Sequence, residues 1–411
     1  MKNKIYPCVI GLGYVGLPVF VRLNKKFKTV GYDINSSRVS SLKKKNDINK
    51  EFESFYLKRN NQSIITKNEK EIKNCNFYIV TVPTPLKGNN IPDISFLTKA
   101  SETISKYLKK NDVIIYESTV YPGTTKFLIK KILEKKSKLI ENKDFFVGYS
   151  PERVNPGDKK HSIDKIDKIL GIKTNKSLIK KRILSVYLKI SKKIHLSNSL
   201  EEAETAKIIE NIQRDLNIAL MNDILIFSKK MKLNYGNIIK LASTKWNFLK
   251  FQPGLVGGHC LPVDPYYLHY IAKVNKINLR TVLAGRIVNS KITKNFVLNE
   301  IIKNVKKIRK NKKKIKILII GITYKKDVPD IRNSLSLEIF RKLQKTYKKT
   351  FAYDYICNKD QINSKNILNK IKFNLKFDIA VFLVDHKRNI NIYKKLKKTN
   401  TKILDLFNFY R

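Results

Sequence analysis

Short apolar runs alternate with longer mixed segments along most of the chain. They lie at 6–10, 29–32, 77–81, 113–116, 145–149, 168–172 and 193–196, and again at 317–320, 350–353, 378–384 and 402–406. Continuous apolar runs of this length are typical of parallel strands buried on both faces, with helices between them. The pattern predicts an α/β protein with two Rossmann-like, doubly wound parallel-sheet domains.

Residues 200–230 separate the two sets of runs and repeat apolar positions at helical spacing. Ser199, with Glu202 three residues later, is typical of a capping box at the start of a helix. Lys207 and Asn211 are four residues apart, so they lie on one face of that helix. We expect a long central helix that joins the two Rossmann-like domains and could also form a dimer. The predicted domains are 1–198, 199–305 and 306–411, with a lysine-rich linker at 306–316.

The first apolar run leads directly into Gly11-x-Gly13-x-x-Gly16 and a helical segment. In this context the glycines form a tight turn, admit a pyrophosphate and allow close helix packing, so the motif predicts dinucleotide binding. Asp33 ends the second run, where a carboxylate binds the ribose hydroxyls of NAD and repels the 2′-phosphate of NADP. Arg38 weakens that exclusion, because an arginine nearby could also hold a phosphate.

Three later runs end in loops of proline, glycine, threonine and acid. Thr84, Thr119 and Glu152 follow the runs at 77–81, 113–116 and 145–149. Parallel sheets bind ligands at the carboxyl ends of their strands, so we expect these residues to converge on one crevice. The loop after 317–320 carries Lys325 and Arg332, which suit an anion such as a nucleotide diphosphate.

Cys260 follows Gly257 and Gly258 in a loop that continues to Asp264, which stands between two prolines. Glycines let the backbone approach a ligand and prolines fix a turn, so this loop could present a nucleophile; a buried structural cysteine is the alternative. A thiolate adds to an aldehyde, and the adduct loses hydride to give a thioester that water cleaves. Lys207 would favour the thiolate or, with Asn211, stabilise an oxyanion. A carboxylate such as Glu152 would activate the water.

Composition argues against several other classes of protein. The 411 residues carry a net charge of +52, but the lysines are spread over the whole chain and indicate compositional bias rather than a nucleic-acid surface. The 4 cysteines and 5 histidines are scattered, so we expect neither a metal site nor a disulfide framework. Because no apolar run is long enough to span a membrane, we expect a soluble, cytoplasmic protein.

The motifs together resemble the UDP-glucose/GDP-mannose dehydrogenase family, the nucleotide-sugar 6-dehydrogenases. The resemblance covers essentially the whole chain and rests on the motifs at 11–16, 82–85, 118–124, 150–152, 207–211, 257–264 and 321–332. It implies an N-terminal domain for NAD, a central helical domain that forms a homodimer, and a C-terminal domain for the UDP-sugar. The implied reaction is a four-electron oxidation of a sugar C6 hydroxymethyl group to a carboxylate.

The resemblance also implies roles for individual residues. Cys260 is the nucleophile, Lys207 and Asn211 stabilise oxyanions, and Asp264 assists in the same site. Glu152 serves the hydrolytic water, and Thr119 holds that water and the cofactor. Residues implied to bind NAD are Gly11, Gly13, Tyr14, Val15, Gly16, Asp33, Arg38, Thr84, Thr119 and Arg332. Residues implied to bind the UDP-sugar are Glu152, Lys207, Asn211, Phe248, Gly257, Arg286 and Lys325.

The segments 150–158, 211–220, 245–248 and 254–260 resemble the subgroup that acts on UDP-N-acetylglucosamine or UDP-N-acetylgalactosamine for surface polysaccharides. Leu261-Pro262, directly after the cysteine, is closer to the UDP-glucose enzymes. UDP-glucose and UDP-N-acetylmannosamine therefore remain alternative substrates. Two alternatives come from other classes of protein. One is a two-electron hydroxyacid dehydrogenase, which would not need Cys260, and the other is a non-catalytic basic nucleotide- or nucleic-acid-binding protein.

Overall fold

The computed structural model describes residues 4–47, 62–154, 163–308, 311, 313–357, 362, 364–371 and 373–410. The chain forms two compact units. The first comprises Met1–Glu210 and Tyr266–Ile277, and the second comprises Asn211–Pro265 and Asn278–Arg411.

The first unit is built on a long, mostly parallel sheet. Its strands are β1 (Pro7–Ile10), β2 (Val30–Tyr32), β3 (Ile64–Thr66), β4 (Phe77–Val80), β7 (Val113–Tyr116), β8 (Phe146–Tyr149), β9 (Lys168–Ile172) and β10 (Ile194–Ser197), with a small hairpin of β5 (Leu86–Lys87) and β6 (Ile91–Pro92) outside it. Within the described residues, the order is β10-β9-β8-β7-β4-β1-β2-β3. Among the described strands of this sheet, only the β8–β9 pair is antiparallel, so β9 and β10 run against the other strands of the sheet.

Helices cover both faces of this sheet. They are α1 (Gly16–Asn24), α2 (Ser36–Lys43), α3 (Ser95–Ser105), α4 (Lys130–Ser137) and α5 (Ser177–Tyr187). Alternate strand residues enter two separate apolar clusters: Tyr78 and Ile114 belong to one, and Phe77 and Ile115 to the other. Burial on both faces explains why these strands are continuous apolar runs in the sequence.

The predicted long helix is present as α6 (Leu200–Lys230). The Glu202 amide donates to Ser199 Oγ at 3.1 Å, so the capping interaction predicted at its start forms. The α6 helix begins in the first unit and ends in the second. In the part of the chain that the structure describes, no helix is long and apolar enough to cross a membrane.

The second unit contains a smaller sheet, parallel throughout its described strands. Its elements are α7 (Tyr235–Ala242), α8 (Asp264–Val274), which continues into the first unit, α9 (Arg280–Ile287), α10 (Thr293–Lys306), β11 (Ile317–Ile320), α11 (Leu335–Thr346), β12 (Thr350–Tyr353), β13 (Ile367–Leu368), β14 (Ile379–Phe382), α12 (Asn389–Leu396) and β15 (Lys402–Leu404). The strand order is β13-β12-β11-β14-β15. The two Rossmann-like sheets and the long central helix confirm the predicted fold class. The domain boundaries stay a prediction, and residues 309, 310 and 312 of the predicted linker lie outside the described residues.

Candidate active site

The glycine motif of the first unit forms the turn that its spacing predicts. Gly11, directly after β1, has φ +89°, a conformation that favours glycine. A Cβ on Gly16 would lie 1.8 Å from the Gly11 carbonyl oxygen, so only glycine allows this approach of α1 to the turn. A Cβ on Gly13 would meet nothing within 4 Å, which leaves the turn open on that side. Tyr14 and Val15 between them are half-buried.

Asp33 lies beside this turn at the end of β2. Its Oδ2 accepts the Leu12 amide at 2.7 Å, and its Oδ1 accepts the Asn35 amide at 2.8 Å. The carboxylate is half-buried, so it remains within reach of a ligand. Arg38 is buried, donates through Nε to the Leu12 carbonyl at 2.8 Å, and pairs through Nη1 with Asp47 at 2.7 Å. Its charge is thus largely satisfied within the protein. The turn and the carboxylate fit the pyrophosphate and ribose of NAD.

The second unit repeats part of this arrangement without its opening. Gly321, after β11, has φ +88°, and Asp354, after β12, accepts the Ile322 amide at 2.8 Å. Asp354 is only 1% exposed and its Oδ2 also lies 3.0 Å from His386 Nε2. Its carboxylate is thus engaged with backbone amides and with His386 inside the protein. Of the two turns, therefore, the first alone presents an accessible acid.

Thr84, Thr119 and Glu152 follow β4, β7 and β8, which are neighbours in the sheet. These strands are parallel, so all three residues lie along one sheet edge, as predicted. Thr84 and Glu152 are buried and Thr119 is half-buried. The Asn155–Gly157 part of the predicted third loop lies outside the described residues.

A buried charge cluster that the sequence analysis missed surrounds Glu152. Lys168 Nζ lies 2.6 Å from Glu117 Oε2 and 3.0 Å from Glu152 Oε2. The Tyr187 hydroxyl donates to Glu117 at 2.7 Å, and the Val154 amide donates to Glu152 at 2.6 Å. These contacts hold the Glu152 carboxylate in one orientation.

Burial shifts the titration of this cluster. Burial raises the pKa of Glu117, against the opposing effect of Lys168. Burial would by itself lower the pKa of Lys168, but the two carboxylates outweigh burial and raise that pKa above its usual range. One indication of this cluster is visible in the sequence: Lys168 is a charged residue at the start of an apolar run that predicts a buried strand.

Antiparallel pairing explains how Lys168 reaches these carboxylates. Gly148 pairs with Ile172 and Tyr149 with Gly171, and the same register continued past β8 places Glu152 opposite Lys168. Because β9 runs in reverse, its first residue lies at the edge where β7 and β8 end.

Glu204, on α6, fixes the loop that carries Thr119. Its carboxylate accepts the Gly123 amide at 2.6 Å and the Thr125 amide at 3.0 Å. Burial raises the pKa of Glu204 to about 7, although both amides favour the charged form. Lys207, one turn further along α6, is also buried.

The cysteine loop lies in the second unit. Cys260 is exposed, whereas Cys8, Cys75 and Cys357 are buried. The Asp264 amide donates to the Cys260 carbonyl at 2.9 Å, so the nucleophile candidate lies in the turn that leads into α8.

Asp264 is 1% exposed and its Oδ2 accepts Asn211 Nδ2 at 2.6 Å. Asp264 thus contacts two other predicted catalytic residues, Asn211 through its side chain and the Cys260 carbonyl through its backbone amide.

Two glycines allow this loop to pack on the segment after β11. A Cβ on Gly257 would lie 2.6 Å from the Asn333 carbonyl oxygen, and one on Gly258 would lie 2.5 Å from the ring of Tyr324. Gly258, with φ +88°, donates its amide to the Arg332 carbonyl at 3.0 Å and accepts from Asn333 Nδ2 at 2.9 Å. The loop that carries Lys325 and Arg332 therefore packs against the cysteine loop.

The remaining predicted residues take different positions. The Arg332 guanidinium pairs with Asp330, with Nη2 to Oδ2 at 2.6 Å. Arg286 is 1% exposed and donates through Nη1 to the carbonyl of Leu261, directly after Cys260, at 2.9 Å. Phe248 and Lys325 are half-buried. Contact of Arg286 with substrate and of Arg332 with NAD stays a prediction.

Comparison with known proteins identifies the family. The model of the UDP-glucose/GDP-mannose dehydrogenase family matches through its NAD-binding domain at residues 5–191, its central domain at 201–291 and its UDP-binding domain at 318–411. UDP-N-acetyl-D-glucosamine 6-dehydrogenase from Pseudomonas aeruginosa is 44% identical over 82% of this chain and 79% of that relative. The enzyme of that name from Salmonella typhi is 43% identical over 86% of this chain and 82% of its own length.

A solved structure gives the same result for the fold. The UDP-D-ManNAc dehydrogenase from Pyrococcus horikoshii superposes with a TM-score of 0.87 at 28% identity, covering 99% of this chain and 96% of that one. The matches extend over both Rossmann-like domains and the central helix, and they include the glycine turn with its accessible acid. The chain therefore belongs to the UDP-glucose/GDP-mannose dehydrogenase family, and it is an NAD-dependent oxidoreductase that acts on UDP-sugars.

Proposed function

We propose that this enzyme oxidises the C6 hydroxymethyl group of UDP-N-acetylglucosamine or UDP-N-acetylgalactosamine to a carboxylate, in the synthesis of a surface polysaccharide. The observation that carries the proposal is the exposed Cys260, four residues before the Asp264 that accepts a hydrogen bond from Asn211, in a loop that packs against the predicted nucleotide-binding segment. The two relatives above 40% identity that bear the N-acetylglucosamine name support this choice of sugar.

NAD supplies the hydride acceptor for both oxidations. After the alcohol has become an aldehyde, the Cys260 thiolate forms a bond from sulfur to C6 and the carbonyl oxygen becomes an oxyanion. Lys207 and the amide of Asn211 stabilise that oxyanion. Asp264 accepts one N–H of Asn211, which fixes the plane of the amide and the direction of its second N–H.

Loss of hydride from the thiohemiacetal leaves a thioester on Cys260. Water then attacks C6, the carbon–sulfur bond breaks, and the thiolate is regenerated with the carboxylate product. Glu152 accepts a proton from the attacking water, with Lys168 and the Val154 amide holding the carboxylate. Thr119 assists in holding the water and the cofactor.

The cofactor assignment follows from the first unit. Asp33, with Gly11, Gly13 and Gly16, holds the ribose and pyrophosphate of NAD. Because Asp47 pairs with Arg38 at 2.7 Å, that arginine offers little charge to a 2′-phosphate, and we expect a preference for NAD over NADP. Measured Kd values for the two cofactors test this, and equal values would contradict it.

NADH formation with a panel of UDP-sugars tests the proposal. We expect two NADH per sugar and the highest kcat/KM with an N-acetylated glucose or galactose derivative. Cys260→Ala should bind NAD normally and form no uronic acid. One NADH per sugar, or full activity of this variant, would rule out the thioester route.

UDP-N-acetylmannosamine is the second candidate substrate. A UDP-N-acetyl-D-mannosamine dehydrogenase from Methanocaldococcus jannaschii is 33% identical over 94% of this chain and 87% of its own length. UDP-glucose is the third, because Leu261-Pro262 follows the cysteine. Equal or higher kcat/KM with either sugar in the same panel would overturn the proposed preference.

We also propose a homodimer formed through α6. Leu220 and Phe227 fall on one side of this helix seven residues apart, Met231 follows directly after its last residue, and each of the three is more than half exposed. Light scattering should give twice the chain mass, and Phe227→Asp should reduce it to one chain. Leu178→Asp changes an exposed leucine on α5 and is the matched control, expected to stay dimeric.

A further inference from the structure

A chain of buried polar side chains in the second unit connects the two ends of the cysteine loop. It contains Asp215 and Asn222 from α6, Arg286 from α9, and Asn289 from the π-helical turn Val288–Ile292. All four are at most 1% exposed. Burying so much polar surface is unfavourable unless the groups find partners, so the contacts that these four side chains make decide what the network holds in place.

Asn222 pairs with the backbone at the start of the loop. Its Oδ1 accepts the Gly254 amide at 2.9 Å, and its Nδ2 donates to the Gly254 carbonyl at 3.1 Å. The second hydrogen on Nδ2 points to Asn289 Oδ1 at 2.8 Å. The amide has thus only one orientation that satisfies all three contacts.

Asn289 connects Asn222 to Asp215, which lies nearer the other end of the loop in the chain of contacts. Its Nδ2 donates to Asp215 Oδ1 at 2.7 Å and to the Asp215 carbonyl at 2.8 Å. Asp215 Oδ1 lies 3.3 Å from Arg286 Nη1, which donates to the Leu261 carbonyl at 2.9 Å. Gly254 and Leu261 are therefore tied together on either side of Cys260.

We propose that Asn222 and Asn289 are positioning residues for Cys260. The proposal rests on the nucleophilic role of Cys260 in the proposed function. The two asparagines act by fixing where the loop of Cys260 starts and ends. A displacement of the nucleophile by about 1 Å can reduce turnover by up to about 100-fold, which is why such support matters for the reaction.

The test compares Asn222→Ala, Asn222→Asp and Asn289→Ala with wild type in the full chain. Asn217→Ala is the matched control, because Asn217 lies on the same helix and its side chain donates to the Gln213 carbonyl one turn earlier. Hydrogen exchange of a peptide covering 255–263 should be about tenfold faster in the three network variants and unchanged in the control. With the best UDP-sugar, kcat should fall at least tenfold while the Kd for NAD stays within twofold.

Asn222→Asp separates the network from a simple cap on Gly254. It retains the acceptor for the Gly254 amide but loses both donors, so we expect it to be at least as impaired as Asn222→Ala. A near-normal Asn222→Asp would overturn the network, and so would unchanged exchange in the alanine variants. Faster exchange with normal kcat would reduce the network to a structural role. If wild type oxidises no UDP-sugar, the proposed function fails, while hydrogen exchange still decides whether the network holds the loop.

Discussion

Replacing Lys168 by methionine should destabilise the first unit in a pH-dependent way. The substitution keeps most of the volume of the side chain but leaves Glu117 and Glu152 without the ammonium that lies 2.6 Å and 3.0 Å from them. Breaking a buried ion pair by removing one partner costs about 3–5 kcal/mol, because the remaining charge is uncompensated.

A second argument limits the size of this effect. A carboxyl group with an ordinary pKa of 4.5 can avoid the cost by binding a proton, which requires about 5 kcal/mol at pH 8 and about 1.4 kcal/mol at pH 5.5. We therefore expect a loss of roughly 3–5 kcal/mol at pH 8 and roughly 1–2 kcal/mol at pH 5.5. Lys168 itself does not contribute to this trend, because its raised pKa keeps it charged throughout this range and its stabilisation is lost only above its usual pKa of 10.5.

Native-state hydrogen exchange of peptides from β7 and β8 is the suitable assay, because it reports the first unit without requiring two-state unfolding of the whole chain. Lys193→Met is the matched control: its ammonium lies 3.5 Å from Asp167 and is 66% exposed, so we expect less than about 1 kcal/mol at either pH. Adding Glu117→Gln to Lys168→Met should recover part of the loss at pH 8. A loss that is equal at both pH values, or below about 1 kcal/mol at pH 8, would refute this account of the cluster.

Two further substitutions test the loops around the site. Gly258→Ala should lower the stability of the second unit by about 2 kcal/mol or more, because φ is +88° and the new Cβ would lie 2.5 Å from the Tyr324 ring. Gly254→Ala meets nothing within 4 Å and should change stability by less than about 0.5 kcal/mol; equal urea midpoints for the two variants would contradict this. The pKa of Glu204 is about 7 in the folded protein, above the ordinary value of 4.5. The protonated carboxyl group therefore stabilises the fold fully below pH 4.5, and this stabilisation is lost as pH rises through 7. The stability of wild type relative to Glu204→Gln, from urea unfolding followed at several pH values, should therefore fall across this range by at most about 3 kcal/mol, and a constant difference would show that the carboxyl does not titrate there.

The sequence was sufficient for most of the strands and for the order of the loops, but it did not predict the short edge strands β3 and β13. Strands such as β4 and β7 are buried on both faces, so their apolar runs stand out without any long-range information. The α6 helix is equally clear, because its cap at Ser199 and its apolar spacing are local. The same locality explains why the glycine turn and the cysteine loop were identified correctly as structural elements.

The supporting polar contacts could not be predicted in this way. Lys168 and Glu117 are 51 residues apart, and Asn222 and Asn289 are 67 apart. Such pairs depend on which strands and helices become neighbours, and a lone asparagine in a helix is usually on the surface. An apolar run also does not indicate the direction in which its strand enters the sheet. The reversal of β9 is therefore visible only in the three-dimensional structure.

That reversal makes the electrostatics of the site sensitive to single insertions. Side chains of a strand alternate between faces, so one extra residue between Lys168 and Gly171 would turn the lysine to the opposite side of the sheet while leaving every apolar contact further along β9 unchanged. Two extra residues would return the side chain to the correct side but carry it about 7 Å further along the strand. Either insertion would therefore leave the sheet folded but remove the lysine from the Glu152 carboxylate. We expect homologous enzymes that keep Glu152 to keep the length of this short segment as well.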